Sequence, residues 1–440
     1  MSKINLVIFN KDLRIADNPA LFFASQSPFM PIFIEPNNIG AASKAWLYLA
    51  ITDLNKKLNG NLKIYSGNCE DILAYIHNSC TINEIFINKS YDRQDELIKD
   101  FCHTNNILLN QYNSNYLTDP SEILSNNSSS FKLFAPFFKK ISKLELKIDL
   151  CQQFIKNNLV SINDSLGHDK IRKCSMDWVH KASLWNPTEL QAHKRLLNFI
   201  STKFNSYDME RDYPSLESTS KLSPYLHFGQ INPNQILHHL PHLNSSFFKE
   251  LIWREFGNYV LYHNPQIVSE NLKATFNAFE WENNEIYIKA WMEGKTGFPI
   301  VDAGMRELQT GFMHNRVRMI TASFLTKNLL THWKIGERWF WENLFDADLG
   351  NNSLNWQWVA GTGIDTMPQF RVFNPLLQAQ KFDPECTYIK RYVTELVDVP
   401  ISNIHNPYTI KNILYQSPIV NHLATKQVYL NKYSQIRKNN

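Results

Sequence analysis

A chain of 440 residues, 43% of them hydrophobic and 20% charged, has enough material for two or three globular domains. Its formal net charge of +4 excludes a polybasic field over the whole surface, so a nucleic acid would have to meet a local basic patch. Six cysteines that lie far apart without a CxxC pair argue against a zinc site and a disulfide framework, and they fit a reducing compartment.

The N-terminal stretch MSKINLVIFNKDLR has only a short apolar run before its charged residues, which is too little for a signal peptide. No apolar run elsewhere approaches the roughly 18 residues that a membrane-spanning helix needs. We therefore expect a cytoplasmic monomer with no membrane partner.

Short apolar runs alternate with helical patterns over residues 1–118. The alternation predicts a doubly wound, parallel five-stranded sheet that is covered on both faces. No G-x-G-x-x-G follows the first run, so a dinucleotide is not expected at that turn. The predicted strands are Leu6–Phe9, Ile32–Ile34, Leu62–Tyr65, Ile85–Ile87 and Ile107–Leu109, and the predicted helices are Ser43–Leu58, Cys69–Ile76 and Asp92–Phe101.

Residues 119–185 lose this rhythm and are predicted to be a long interdomain linker, with a basic stretch at 139–147 that is either helical or loose. From residue 186 to 440, helical spacing predicts an all-helical domain. Its first helices are expected to start at Asn186, Ser223 and Asn232, each a capping residue followed by proline. Helical spacing predicts further helices at Phe247–Tyr262, Ile286–Met292, Val301–Thr310 and Val317–His332.

The sequence TSKLS at residues 219–223 puts three hydroxyls and a cation before a predicted helix. Exposed amides and the helix dipole make such a corner suitable for a phosphate or pyrophosphate. A plain capping sequence is the alternative interpretation, and these residues alone do not decide between the two.

Two later segments combine charge with aromatic or amide groups. Glu250, Trp253 and Arg254 share a helix face, which suits either a planar partner or an ion pair beside a core tryptophan. In the segment 313–319, two arginines could pair with phosphates and an asparagine could read the edge of a planar ring, although a solvated basic face is the alternative.

The segment 346–358, DADLGNNSLNWQW, gathers two carboxylates, several amides and two indoles. It starts like an EF-hand loop, but Asn351 and Gln357 occupy the positions that need glycine and glutamate. A capped turn leading into a core helix is the plain alternative. The run Gly294-Lys295-Thr296 lacks the first glycine of a P-loop, and no HExxH spacing is present, so no metal site is predicted.

At these residues the chain resembles the DNA photolyase and cryptochrome family, most closely the bacterial class I photolyases that repair cyclobutane pyrimidine dimers. The resemblance covers nearly the whole chain and implies light-driven DNA repair by electron transfer from reduced FAD. Seven motifs carry it in the family's order: FNKDLRIADNPAL, TSKLSPYLHFGQI, ELIWREF, WMEGKTGFPIVDAGMREL, MHNRVRMITASFL, DADLGNNSLNWQW and QFRVFNP.

For the cofactor, the resemblance implies a U-shaped FAD within the helical domain. Asp346 is expected to pair with Arg318, and Asn352 to face the reactive flavin nitrogen. The tryptophans Trp281, Trp333 and Trp356 match a surface-to-flavin electron chain. The implied FAD contacts are Tyr207, Thr219, Ser220, Lys221, Leu222, Ser223, Arg318, Asp346, Asp348 and Asn352.

For the substrate, the resemblance implies a pocket that receives a dimer flipped out of the DNA duplex. Trp253 and Trp358 would be its walls, and Glu250 would donate a hydrogen bond to the dimer. The implied DNA and substrate contacts are Arg211, Glu250, Trp253, Asn315, Arg316, Met319, Trp358, Arg371 and Gln378.

The chain departs from the family pattern in several motifs. Lys221 stands for an arginine, which keeps the charge but loses the guanidinium fork. A second, light-harvesting chromophore of folate or deazaflavin type is only loosely supported, by Gln94 and Asp95, and its identity is not predicted. The other departures are Asn10 for arginine, Phe247 and Phe312 for tryptophan, and Leu354-Asn355 for a glycine pair.

Three alternatives to dimer repair remain. A cryptochrome-type photoreceptor is disfavoured by Glu250, Trp253 and the MHNRVRM segment. A six-four photolyase would need a histidine pair where Asn315 and Arg316 lie, and His314 alone does not supply it. A helical nucleic-acid-binding module without catalysis is compatible only with a protein that binds no flavin.

Overall fold

The computed structural model describes residues 3–125, 128–144, 146, 150–160, 174–365, 370–411 and 413–438. The chain divides into two compact units. Unit 1 consists of Met1–Ile123, Lys143–Phe204 and Ser220–Leu251, and unit 2 of Leu124–Ser142, Asn205–Thr219 and Ile252–Asn440. The units interleave along the sequence, and the division into domains at residues 118 and 185 stays a prediction.

Unit 1 is built on a five-stranded sheet whose strands all run parallel, so the predicted sheet is confirmed. The direction in which successive strands are added reverses between β1 and β4. Doubly wound folds bind ligands in the crevice at the carboxyl ends of the strands at such a reversal. The strands are β1 Lys3–Phe9, β2 Phe29–Glu35, β3 Lys63–Ser66, β4 Thr81–Asn88 and β5 Leu108–Tyr112, in the spatial order β3-β2-β1-β4-β5.

Both faces of this sheet carry apolar side chains. Leu6 and Ile8 of β1 belong to one core cluster together with Leu73 and Ile98 from two helices. Val7 lies between them in the sequence and therefore on the opposite face, where it is also fully buried. Burial on both faces explains why the strands read as continuous apolar runs.

The helices of the described residues fill the rest of both units, and none of them is long and apolar enough to cross a membrane. A π-helical turn, Phe324–Asn328, follows α14. In chain order the helices are α1 Pro19–Ala24, α2 Ala41–Lys57, α3 Cys69–Ser79, α4 Arg93–Thr104, α5 Phe134–Ile141, α6 Met176–Ser183, α7 Glu189–Thr202, α8 Tyr207–Glu210, α9 Ser223–His227, α10 Pro233–His239, α11 Ser246–His263, α12 Glu285–Met292, α13 Pro299–Leu308, α14 Asn315–Ser323, α15 Trp333–Asn343, α16 Leu349–Ala360, α17 Pro375–Phe382, α18 Thr387–Tyr392 and α19 His422–Lys438.

The helix starts that were predicted from capping residues have mixed outcomes. Asn232 caps α10 as predicted. The start predicted at Asn186 was wrong, because Thr188 accepts the N–H of Gln191 and α7 begins directly after it. Ser223 is the first residue of α9 rather than its cap.

Other helices were missed or misjudged in length. Helix α1 was not predicted, and neither were α5 and α6, which lie inside the predicted linker. The basic stretch at 139–147 is helical up to Ile141, while residues 145 and 147 lie outside the described part. A single helix at Val317–His332 was wrong, because α14 ends through the π-helical turn and His332 instead caps α15.

Candidate functional site

Helix α16 and the part of α11 that belongs to unit 2 cross at two glycines. A Cβ on Gly257 would lie 2.4 Å from Asn351 Oδ1, and one on Gly350 would lie 2.7 Å from the carbonyl oxygen of Gly257. Only residues without a side chain let two helix backbones come this close. The crossing therefore brings the helix of Trp253 against the helix of Trp356.

The ion pair between Arg318 and Asp346, which the resemblance implied, is present and held from several sides. Arg318 Nη2 donates to both carboxylate oxygens of Asp346, at 2.9 and 3.0 Å. Its Nε donates to the carbonyl oxygen of Met313 at 2.8 Å, and its guanidinium lies 5.5 Å from the centre of the Phe312 ring. The side chain of Asp346 is only 5% exposed, so loss of either partner would leave a poorly solvated charge.

Asp348 and Asn352 lie at the start of α16. Asp348 caps the helix by accepting the N–H of Asn351 at 2.9 Å. Asn352 Nδ2 donates to the carbonyl oxygen of Glu337 at 3.0 Å, while Asn352 Oδ1 accepts no hydrogen bond from the described residues. Ser353 donates to the carboxylate of Glu337, and burial raises the pKa of that carboxyl. The helix start thus has a fixed amide with an unused acceptor oxygen.

Two of the three tryptophans expected to carry electrons lie at the contact between α15 and α16. Trp333 and Trp356 are both buried, and Trp356 Nε1 has no hydrogen-bond partner among the described residues. Trp356 meets Phe340 edge-on with ring centres 4.8 Å apart, and a Cβ on Gly336 would lie 2.1 Å from its indole. Because Trp333, Gly336 and Phe340 recur at helical spacing, they belong to one face of α15.

The third tryptophan, Trp281, is separated from Trp333 by a histidine. The His332 ring centre lies 5.4 Å from that of Trp281 and 5.6 Å from that of Trp333. His332 Nδ1 accepts the N–H of Lys334 at 3.2 Å, which fixes the ring, and burial lowers the pKa of His332. His332 was not predicted from the sequence, where its only signal is its position before a motif tryptophan.

The aromatic and apolar residues expected around the substrate all lie in unit 2. Trp253 is half-buried and stacks on Phe134, with ring centres 3.6 Å apart and planes at 5°. Met319 and Trp358 are partly buried against the core of unit 2. Phe134 was missed because it lies in the predicted linker.

Two of the expected cationic contacts share one carboxylate. Arg316 Nη2 lies 2.7 Å from Asp212 Oδ1, and Arg211 Nε lies 3.9 Å from the same oxygen. The Arg316 guanidinium also lies 4.4 Å from the centre of the Phe382 ring, and that of Arg211 lies 5.6 Å from the centre of the Tyr207 ring. The Asp212 carboxylate therefore lies within ion-pair distance of both arginines, and closer to Arg316.

The remaining expected contacts of unit 2 differ in exposure. Asn315 and Arg371 are exposed, and Gln378 is half-buried. Arg254, which the sequence placed on a common face with Trp253, donates to Glu255 Oε1 at 2.8 Å. Arg254 thus forms an ion pair within α11, the alternative to binding a planar partner.

Part of the expected cofactor and substrate set belongs to unit 1. Glu250 lies on the first part of α11, and residues 220–223 lead into α9. Lys221 adopts a left-handed backbone with φ of 52°, which shapes the turn before the helix. Tyr207 is buried and Thr219 half-buried, and both belong to unit 2.

The residues loosely aligned with a second chromophore lie just beyond the carboxyl end of β4. Asp95 accepts the N–H groups of Ser90 and Tyr91, and burial raises the pKa of Asp95 to about 6. Asn10 donates to Ser90 Oγ at 2.9 Å. Gln94 Nε2 is buried and has no hydrogen-bond partner among the described residues. Asp95 therefore organises its own loop, whereas Gln94 keeps an unsatisfied donor.

The hydrogen-bonding groups around α16 suit a flat, polar heterocycle. Asn352 Oδ1 is an unused acceptor, and Trp356 Nε1, one helical turn later, is a buried donor without a partner. The Arg318–Asp346 pair adds a fixed carboxylate before the same helix. An isoalloxazine ring carries both N–H donors and carbonyl acceptors on its edges, so these residues fit a flavin.

Two family models match the chain. The model described as DNA photolyase matches residues 5–153, and the model described as the FAD binding domain of DNA photolyase matches residues 247–435. The chain is 34% identical to a deoxyribodipyrimidine photo-lyase from Agrobacterium fabrum, over 98% of each chain.

Solved structures agree with these matches. A bacterial class III photolyase from Agrobacterium tumefaciens superposes with a TM-score of 0.91 at 34% identity, covering 100% of this chain and 98% of its own. An archaeal photolyase from Sulfolobus tokodaii, solved with two FAD molecules, has a TM-score of 0.84 at 31% identity, covering 98% and 99%. The likeness to class I members stays a prediction.

Proposed function

The chain belongs to the DNA photolyase family, and we propose that the residues around α16 hold the flavin on which this family's reaction depends. The activity is that of a deoxyribodipyrimidine photo-lyase, which repairs cyclobutane pyrimidine dimers in DNA with light and reduced FAD. When bound, reduced FAD supplies the light-driven electron. The protein binds, orients and shields the reacting groups.

The nearly buried Arg318–Asp346 pair carries the cofactor assignment. We assign Asp346, Asp348 and Asn352 to the ribityl and isoalloxazine parts of FAD, with Asn352 Oδ1 toward the reactive flavin nitrogen. Arg318 orients the Asp346 carboxylate through two hydrogen bonds. The residues assigned to the phosphates and adenosine are Tyr207, Thr219, Ser220, Lys221, Leu222 and Ser223.

Replacement of Asp346 tests this assignment. Asp346→Asn keeps the shape of the side chain but leaves Arg318 without an anionic partner, and hydrogen bonds to charged groups contribute about 1.5–3 kcal/mol each. We expect flavin affinity to fall by about tenfold or more, as measured by titration of the apoprotein with FAD.

A matched control is Glu395→Gln, which weakens another two-bond pair of unit 2, Arg306 with Glu395 at 2.7 and 2.8 Å. This pair is more exposed than Arg318–Asp346, and the control should bind FAD like the unmodified protein. Unchanged affinity in Asp346→Asn, or an equal loss in Glu395→Gln, would contradict the assignment.

On the substrate side, we assign Trp253 and Trp358 as the walls of the dimer pocket and Glu250 as a hydrogen-bond donor to the dimer. A lesion that stacks poorly in the duplex is easily flipped out, and aromatic walls replace its lost stacking. The remaining contacts with the dimer and the phosphates are Arg211, Asn315, Arg316, Met319, Arg371 and Gln378.

We also assign Trp281, Trp333 and Trp356 as the electron chain that reduces the bound flavin in light. The burial of Trp333 and Trp356 and the half-buried position of Trp281 support a path from the surface inward. His332, in ring contact with two of the three, belongs to the same path.

The six-four photolyase and the cryptochrome have less support than repair of cyclobutane dimers. The nitrogen His314 Nδ1 already caps α14 by accepting the N–H of Arg316, and burial lowers the pKa of His314 to about 4. A six-four photolyase would need a histidine pair in this segment, and Asn315 and Arg316 follow His314 instead. A cryptochrome would not need the assigned dimer contacts.

A second chromophore of folate or deazaflavin type stays a prediction. The unsatisfied donor of Gln94 supports a polar ligand near β4, and the Sulfolobus tokodaii photolyase carries a second FAD. Extraction of the purified protein and chromatography of its chromophores decides whether anything besides FAD is bound. Retention of FAD alone would contradict the prediction.

We further propose a cytoplasmic monomer. All six cysteines are free thiols, which suits a reducing compartment. Light scattering of the flavin-loaded protein should give the mass of one 51.4 kDa chain. A concentration-independent dimer mass would overturn the proposed state.

A further inference from the structure

Helix α5 packs on α11 through a row of aromatic rings in unit 2. Phe134 and Phe137 are both buried. Phe137 lies against Phe256 and Tyr259, with ring centres 5.1 and 4.8 Å away and planes tilted by 46° and 44°. The aromatic row thus fixes a helix that the sequence did not predict.

Phe134 differs from the rest of the row in its geometry. Its ring is nearly parallel to the indole of Trp253, at 5° and 3.6 Å between centres, whereas it meets Phe256 edge-on at 72° and 5.8 Å. A parallel contact at this distance covers one face of the indole. Trp253 nevertheless stays half-buried, so the remainder of its ring keeps access to the surface.

The main chain of Phe134 is fixed as well. Leu133, the residue before the helix, provides no side-chain cap. Instead the N–H of Phe134 donates to Asp365 Oδ2 at 2.8 Å, so a carboxylate from a distant part of the chain caps α5. The ring that backs Trp253 is therefore held at both its backbone and its side chain.

We propose that Phe134 is a positioning residue that holds the plane of Trp253, so that the uncovered part of the indole packs against an everted dimer. This inference rests on the proposed role of Trp253. An indole backed by a fixed parallel ring cannot tilt without losing the contact, and less ordering is then needed when the lesion binds. Phe134 therefore increases dimer affinity without touching the DNA.

The experiment compares binding of an oligonucleotide with one thymine cyclobutane dimer to the undamaged oligonucleotide, using the flavin-loaded protein. Phe134→Leu should weaken dimer binding about 3- to 10-fold, the range expected for one aromatic stacking contact. Binding of undamaged DNA and the flavin content should not change. Phe134→Tyr keeps the ring face and should restore dimer affinity.

Phe131→Leu is the matched control. Phe131 packs on Phe137 and Tyr259, with ring centres 6.0 and 6.3 Å away, and makes no ring contact with Trp253. Because Phe131 is half-buried and Phe134 is buried, this variant should lower the unfolding temperature less than Phe134→Leu, and it should leave dimer affinity unchanged. An equal loss of dimer affinity in both variants, or none in Phe134→Leu, overturns the proposal.

The variant Trp253→Ala distinguishes the positioning role of Phe134 from the proposed role of Trp253 as a wall of the dimer pocket. If Trp253→Ala weakens dimer binding, Phe134→Leu in that background should add no further loss. A further loss, or a dimer affinity that Trp253→Ala leaves unchanged, overturns the positioning role while the repair activity stands. Failure of the unmodified protein to prefer dimer-containing DNA contradicts the proposed function itself.

Discussion

The indole of Trp356 combines features that a purely structural core residue does not need. It is 2% exposed, its N–H has no partner among the described residues, and Gly336 leaves room for it where any side chain would collide. A buried donor without a partner costs about 1–3 kcal/mol of stability. A buried donor without a partner calls for an explanation, and the role proposed for Trp356 beside the flavin provides one.

The variant Trp356→Phe tests that role. Phenylalanine fills most of the volume but gives up an electron far less readily than an indole. We expect photoreduction of the bound flavin by visible light to fall to background, while dithionite-reduced protein repairs dimers normally. Flavin absorbance during illumination is the measurement.

Trp339→Phe is the control for this variant, because Trp339 also lies on α15 but makes no ring contact with Trp281, Trp333 or Trp356. It should photoreduce at the normal rate. The electron-chain assignment is wrong if Trp356→Phe still photoreduces normally, or if both variants fail alike.

Helix spacing in the sequence indicates which motif residues share a face, whereas their roles at the site come from the family resemblance and stay predictions. The Arg318–Asp346 pair joins two separate motifs and could be anticipated only through the family resemblance. Phe134 and His332 escaped prediction because each gains its partner through tertiary packing, with Trp253 and Trp281 respectively. No local pattern specifies such a partner.

Among the helices, α14 is unusual because it changes geometry at the π-helical turn that contains Lys327. Turns of this kind often mark functional positions. The buried ammonium of Lys327 donates to the carbonyl oxygen of Arg371 at 2.8 Å and lies 5.6 Å from the centre of the Tyr429 ring. Burial, with a smaller contribution from Arg371, lowers the pKa of Lys327 to about 7.

This burial makes the stability of the protein depend on pH. Between about pH 7 and the ordinary lysine pKa of 10.5, the unfolded chain binds a proton at Lys327 that the folded chain does not bind. The free energy of unfolding should therefore rise with pH in this window, by at most about 1.4 kcal/mol per pH unit. Below pH 7 the folded protein is destabilised by the full cost of burying the charged ammonium of Lys327.

Lys327→Met removes the titrating group, so its free energy of unfolding should rise less steeply from pH 7.5 to 9.5 than that of the unmodified protein. Urea unfolding at several pH values gives this difference, in which contributions from other groups cancel. Lys334→Met is the control, since Lys334 also donates to a carbonyl oxygen but is only half-buried. Parallel curves for Lys327→Met and the unmodified protein would contradict the account.

Elements differ in how far a sequence specifies them. The five strands were predictable because a parallel sheet buried on both faces leaves continuous apolar runs. The helices α1, α5 and α6 have no more than eight residues each, and a period in so short a segment is not reliably seen, although α12, also of eight residues, was predicted. The π-helical turn keeps the apolar pattern of a helix, so periodicity alone could not show where α14 ends.

At the scale of the whole molecule, the two family models fall mostly, but not entirely, on different units. The DNA photolyase model covers residues 5–153, and the FAD-binding model covers residues 247–435. The interleaving of the units along the sequence depends on long-range contacts, which a reading in chain order does not reveal. The flavin and substrate assignments, by contrast, depend mainly on helices α11, α14, α15 and α16.

Repair of oligonucleotides that each carry one defined lesion tests the central claim most directly. The protein is loaded with FAD, reduced, and incubated with DNA that contains either a cyclobutane thymine dimer or a six-four product, in blue light and in darkness. We expect restored thymines only from the cyclobutane dimer and only in light. Absence of this repair by flavin-loaded protein, or repair of the six-four product instead, would contradict the claim.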